Sequence, residues 1–188
     1  MMATSYRVLK WGALIFAVVA LTLFAVRAYE SQRGPPLALW HTFVPHEMSA
    51  QQIDKSDWAQ YLEAEAKLFA EVRTEVTDKL PAESRDEGNR YFAEGPIYPG
   101  KFGADWNRSY TMEPVGAPVG AVVLLHGLTD SPYSLRHIAQ RYRDDGYVAV
   151  AIRMPGHGSV PGGLTEVEWA QWTAATRLAV REARRRAG

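Results

Sequence analysis

Residues 120–127 read GAVVLLHG and residues 147–158 read YVAVAIRMPGHG. Each is an uninterrupted apolar run of strand length that breaks at a glycine-containing turn with a histidine in it. Continuous apolar runs of this kind predict strands buried on both faces, as in parallel sheets. Between them, Ser131-Pro132 supplies a helix start with proline at the first helical position, Leu135, Ile138, Ala139 and Tyr142 mark one face, and Gly146 ends the helix. Strand, helix, strand is a parallel crossover. After the second strand, Thr165 with Glu168 three residues on reads as a capping box. It opens a helix whose buried stripe is Val167, Trp169, Trp172, Ala175, Thr176, Leu178, Ala179 and Ala183.

In open parallel sheets ligands bind beyond the carboxyl ends of the strands. The loops 126–131 and 155–163 leave from those ends, so the site is expected there. The first loop sets backbone amides between a strand end and a helix start, a geometry suited to a developing oxyanion. Gly127 lets the backbone approach a substrate closely.

Working outward, residues 11–26 read WGALIFAVVALTLFAV, with Thr22 the one polar side chain and Arg7, Lys10 and Arg27 at the flanks. Sixteen residues at about 1.5 Å each span roughly 24 Å, and the flanking apolar residues and snorkelling cations extend this toward the bilayer's hydrocarbon thickness of about 30 Å. A lipid-bilayer anchor through residues 11–26 is expected. A cleaved secretory signal is the competing reading, against which Arg27, beside Ala28, makes a poor cleavage context. Arg7 and Lys10 before the run balance Arg27 and Arg33 after it, so orientation has no strong signal; a body outside the cytoplasm is the expectation.

The expected organisation is an anchor over 1–30, a linker over 31–55 containing Gly34-Pro35-Pro36, an amphipathic helix and irregular crossing over 56–103, and an α/β body over 104–188. Within the third segment, Trp58, Tyr61, Leu62, Leu68, Phe69, Val72, Val76 and Leu80 recur at helical spacing before Pro81. The 21 basic and 21 acidic residues cancel, so nothing in the overall charge points to nucleic acid and no nucleic-acid partner is expected. Arg177, Arg181, Arg184, Arg185 and Arg186 read as a solvated helix end whose dipole favours cations. The absence of cysteine removes thiolate metal sites and a cysteine nucleophile. His41, His46, His126, His137 and His157 show no metal spacing, so neither a metal nor a cofactor is expected.

The stretch 107–187, with Arg108-Ser109-Tyr110, HGLTDSPYS from His126, MPGHG from Met154 and the pair Trp169 and Trp172, resembles the α/β-hydrolase superfamily. The branch it is similar to comprises bacterial serine aminopeptidase-like and monoacylglycerol lipase-like proteins, some with an N-terminal membrane segment. The resemblance implies an incomplete α/β-hydrolase parallel sheet with flanking helices behind a transmembrane helix. It further implies a serine hydrolase acting on a small acyl substrate, at a bacterial inner membrane. In that setting Leu128 gives one oxyanion-hole N–H, the residue after the nucleophile gives the other, and His126 and Gly127 shape the oxyanion loop. Pro155, Gly156, His157 and Gly158 form the second active-site loop.

The family's nucleophile is a serine in Gly-x-Ser-x-Gly, and none of the nine serines here has glycines two positions away on both sides. Truncation before that elbow is the expectation; a catalytically inert, membrane-tethered binding module of the same fold is the alternative.

Overall fold

The computed structural model describes residues 2–34 and 36–187, which divide into two compact units meeting between Leu37 and Ala38. The first unit is helix α1, Met2–Gln32. Within it Leu9–Gln32 is 24 residues with mean hydropathy 2.2 and no buried surface, long and apolar enough to cross a membrane. A signal sequence meets the same description. The one hydroxyl in the apolar run, Thr22, donates to the Val18 carbonyl 2.8 Å away, so the helix satisfies it internally.

The second unit begins with two short helices, α2 (Leu39–Thr42) and α3 (Ala50–Lys55). This differs from the linker expected over 31–55: residues from Ala38 on are part of the folded body, and Ile53 is fully buried in its core. Ser49 and Gln52 form a reciprocal capping box at the start of α3, and Asp57 and Gln60 form another at α4 (Trp58–Val72). Helix α4 buries Trp58, Tyr61, Glu65, Leu68 and Val72 and then widens into a π-helical turn, Arg73–Thr77, which carries Val76 inward before the chain reaches Pro81. Residues 81–103 cross the surface with two 3-10 turns and one buried aromatic, Tyr91.

Three strands form the sheet: β1 (Tyr110–Met112), β2 (Gly120–Leu125) and β3 (Tyr147–Ile152), in the order β1-β3-β2. Strands β2 and β3 are parallel, with Val123 opposite Val150; β1 runs antiparallel to β3, with Thr111 opposite Val150. The sheet is therefore mixed rather than all parallel. Three residues of β1 are too few to show a periodic pattern. Strand β3 is central and buried, whereas β2 lies at an edge and is half-exposed, with Leu125 at 44%. The burial expected of β2 is not reached, because among the described residues β2 has a strand neighbour on one side only.

Alternation along β3 sorts the core. Val148, Val150 and Ile152 pack with Ile53, Trp58 and Tyr61 and with Ala174, Ala175, Leu178 and Ala179 of α6 (Trp169–Ala187). Ala149, on the other face, packs with Met112 and with Ala139 of α5 (Arg136–Asp144). Helix α5 follows a 3-10 turn, Pro132–Leu135, with Pro132 at its first position. Ser131 does not cap that turn with its side chain; it donates to Asn107 Oδ1 at 3.0 Å. Helix α6 begins at Trp169 rather than at the expected Thr165 box. Thr165 Oγ1 donates to the Gly162 carbonyl instead, and Gln171 takes the Glu168 N–H. Trp169, expected inside, is 73% exposed because it precedes the turn of α6 that meets the sheet.

Candidate active site

Because β2 and β3 are parallel, the loops that follow them leave from the same edge of the sheet. A cleft of about 940 Å³ lies between them, lined by Thr129, Asp130 and Ser131 from the first loop and Gly156, His157, Gly158 and Ser159 from the second.

The loop after β2 is open. The Leu128 side chain is 69% exposed, and among the described residues neither the Leu128 nor the Thr129 N–H meets an acceptor. A Cβ at Gly127 would meet nothing within 4 Å, so a ligand can approach the backbone there. Thr129 sits at φ 60°, in the left-handed region that β-branched residues avoid. The turn is held by Asp130, whose N–H donates to the Gly127 carbonyl at 3.3 Å and whose carboxylate accepts from Ser131 N at 2.7 Å and from Ser134 Oγ. Partial burial works against the Asp130 charge, but those two donors outweigh it and hold the carboxyl below its ordinary range.

His126 is a brace. Its Nδ1 lies 2.9 Å from the Gly127 carbonyl, which can only accept, so Nδ1 carries the proton. Its Nε2 then accepts from Met154 N at 3.0 Å. Both nitrogens of a neutral ring are satisfied, and the ring ties the first loop to the second. Burial, reinforced by His157 beside it, pushes its pKa down and keeps it neutral.

The loop after β3 is closed. Arg153, 1% exposed, forms a bidentate pair with Glu47 at 2.7 and 3.0 Å and reaches Glu65 through Nε at 2.9 Å. Its Nη1 also donates to the His157 carbonyl at 3.0 Å. Glu47 accepts from Gly156 N at 2.7 Å, Ser109 Oγ accepts from Arg153 N at 2.8 Å, and the Tyr61 hydroxyl donates to the Arg153 carbonyl at 2.7 Å. Glu65 in turn accepts from the N–H and hydroxyl of Ser109. Burial opposes the Arg153 charge, but the two carboxylates outweigh it and push its pKa up, so it remains a cation. The Pro155 carbonyl accepts from His157 Nδ1 at 3.0 Å and from Trp172 Nε1 at 2.9 Å. Gly158 takes φ +73°, and a Cβ there would lie 2.7 Å from the Asn107 carbonyl oxygen, so this position requires glycine.

The structure thus brings His126, Gly127, Leu128, Gly156, His157 and Gly158 to neighbouring loops at one sheet edge. Glu47, Glu65 and Arg153 were not singled out from sequence, and Ser109 entered only as part of the Arg108-Ser109-Tyr110 resemblance. Two of them had a signal: Glu65 is an acid set between Tyr61 and Leu68 on an otherwise apolar helical stripe, and Arg153 directly follows a wholly apolar strand. Glu47 had none, since it lies in a segment without periodicity.

No family model matches the chain. A 57-residue stretch is 37% identical to a thermostable monoacylglycerol lipase of Bacillus sp. (strain H-257), covering 30% of this chain and 22% of that enzyme. A solved structure described as one of two metagenome-derived lipolytic enzymes, LipS and LipT, is similar at TM-score 0.41 and 26% identity, over 44% of this chain and 33% of the other. The sequence match to the lipase supports an α/β-hydrolase relationship and, at most, a hydrolase-type function. The chain spans about a fifth of that relative's length.

Proposed function

We propose that this chain is the front part of a membrane-anchored serine hydrolase of the α/β-hydrolase type, acting on an ester or related acyl substrate. The observation that carries the reading is the open loop after β2, in which the Leu128 and Thr129 N–H groups meet no acceptor among the described residues beside a cleft. Donors fixed in advance at a strand end suit stabilisation of a tetrahedral oxyanion. Leu128 N–H is one such donor in this reading, with His126 holding its loop against Met154.

Topology supports a place for the nucleophile. Helices α5 and α6 cover opposite faces of the sheet. Parallel crossovers are right-handed, so if β2-α5-β3 steps one way, a crossover from β3 through α6 steps back the other way. A strand following α6 then lies beside the free edge of β2, and its carboxyl end comes near Leu128. A serine on the turn after that strand faces the Leu128 N–H.

Fluorophosphonate labelling of the native protein, with intact-mass measurement, tests this. The expected result is a mass well above the 21.0 kDa of these 188 residues and a covalent adduct on a serine beyond them. Leu128→Pro, which deletes the N–H, is expected to slow labelling by about 10²- to 10³-fold. A native mass of 21.0 kDa without an adduct would sink the proposal in favour of an inert tethered module of the same fold. Anchoring through residues 11–26 is checked by the N-terminal sequence of the native protein: retention of that stretch with the membrane fraction is expected, and cleavage near Ala28 contradicts it.

A further inference from the structure

A second pocket, about 320 Å³, adjoins the cleft at the Gly158-Ser159 segment. The two cavities share Arg90, Tyr91, Gly158 and Ser159 but differ in charge. The cleft wall carries the carboxylates of Glu83, Asp86 and Asp130 against the single guanidinium of Arg90. The smaller pocket reverses this, with Arg73, Arg90 and Arg108 against Asp105 alone.

Much of the donor capacity in the smaller pocket is unspent. Asp105 is consumed within its own turn, accepting from the backbone and side-chain nitrogens of Asn107 and from Arg108 Nε. Arg73 is neutralised by Asp78 at 2.7 Å. Among the described residues, however, the terminal nitrogens of Arg108 and the Nε and Nη1 of Arg90 meet no acceptor. Arg90 uses only Nη2, on the Gly158 carbonyl at 3.3 Å. The Ser159 hydroxyl is buried without a partner, although its residue is only 5% exposed. The buried, unpaired hydroxyl is unfavourable unless something accepts from it, and the half-exposed Arg90 and Arg108 nitrogens can donate to an anion in place of water. The remaining wall is aromatic: Arg108 stacks on Phe69 with Cζ 4.3 Å from the ring centroid, and Tyr91 and Tyr98 face the same space.

We propose that this pocket binds a small organic anion, a carboxylate or phosphate monoester whose apolar or aromatic remainder rests on Phe69, Tyr91 and Tyr98. Planar guanidinium forks recognise both anions through paired N–H donors, and the Ser159 hydroxyl adds a third donor from within. The anion would sit next to the acid-lined cleft, at the walls the two cavities share. The inference does not depend on the hydrolase reading: the pocket wall shares Gly158 with the second loop, but its donors, Arg90, Arg108 and Ser159, carry no role in that chemistry.

The test is calorimetric titration of the full chain in non-ionic detergent micelles with benzoate, phenyl phosphate and inorganic phosphate, and with neutral benzamide as the control. Saturable, salt-sensitive binding of at least one anion and none of benzamide is expected. Phenyl phosphate binding above benzoate assigns a phosphate ligand, and the reverse assigns a carboxylate. Arg108→Gln and Arg90→Gln are each expected to weaken binding by about ten-fold or more, the size of a charged hydrogen bond. Ser159→Ala should weaken it about five-fold without lowering the thermal midpoint, because that hydroxyl bonds to nothing in the fold. Equal binding of benzamide, no saturable binding of any anion, or unchanged affinity in both folded arginine variants would overturn the proposal.

Discussion

The loops after β2 and β3 are alike in sequence, each a glycine-histidine turn at the end of an apolar strand, yet they are built on opposite plans. In residues 126–131 the backbone is presented: two consecutive N–H groups meet no acceptor among the described residues, Leu128 stands in solvent and Thr129 is held at φ 60°. In residues 153–159 the backbone is consumed, with its groups bonded to Glu47, Tyr61, Tyr91, Arg90, Ser109, His126 and Trp172. The second loop is a keystone onto which the segment from Glu47 to Tyr91 closes. The first is an instrument that the keystone supports through one imidazole. Open N–H groups in a site need a rigid neighbour, because strained or unsatisfied backbone persists only where its surroundings over-determine it.

Substitutions that probe this contrast should cost most in the closed loop. Arg153→Met leaves the Glu47 and Glu65 carboxylates buried without a cation, and a loss of about 3–5 kcal/mol is expected by urea denaturation of the full chain. A smaller loss would mean the carboxylates find water and that the loop is less closed than its bonds imply. Gly158→Ala forces a left-handed alanine against the Asn107 carbonyl and should cost about 1–3 kcal/mol on the same measurement. Trp172→Phe retains most packing but removes one of two donors to Pro155, an expected loss of about 1 kcal/mol.

The brace between the loops gives a pH dependence. The folded state holds His126 neutral below its ordinary value of 6.5, while the unfolded chain protonates there. As pH falls below 6.5 the unfolded state binds more protons, so stability declines. His126→Gln should flatten that decline; an unchanged slope would show that the ring is not the titrating brace. The open loop should respond least. Thr129→Gly removes the left-handed penalty and adds unfolded-state freedom, and the two should cancel to within about 1 kcal/mol in thermal unfolding.

What sequence disclosed follows the range over which each signal acts. The apolar runs of β2 and β3, the proline-started turn before α5 and the helical stripe of α4 are local patterns, and they gave strand, helix, strand and the edge carrying both loops. The apolar run at residues 11–26 is equally local and lies within α1. Boundaries were weaker: the Thr165-Glu168 pattern read as a capping box, but Thr165 bonds backward to Gly162. A motif of two residues cannot exclude a competing acceptor. The spacer expected over 31–55 concealed helices α2 and α3, because short capped helices show little periodicity.

Sequence by itself therefore determined the β2-α5-β3 crossover and the placing of two glycine-histidine loops at one end of a sheet, since these rest on periodicity and on the handedness of the chain. Tertiary structure alone decided that one loop is open and the other closed. That difference is made by Glu47 and Glu65 meeting Arg153 across 106 and 88 residues. Contacts over such separations leave no periodic trace in the chain, and a buried charge becomes legible only when the groups that compensate it are brought beside it.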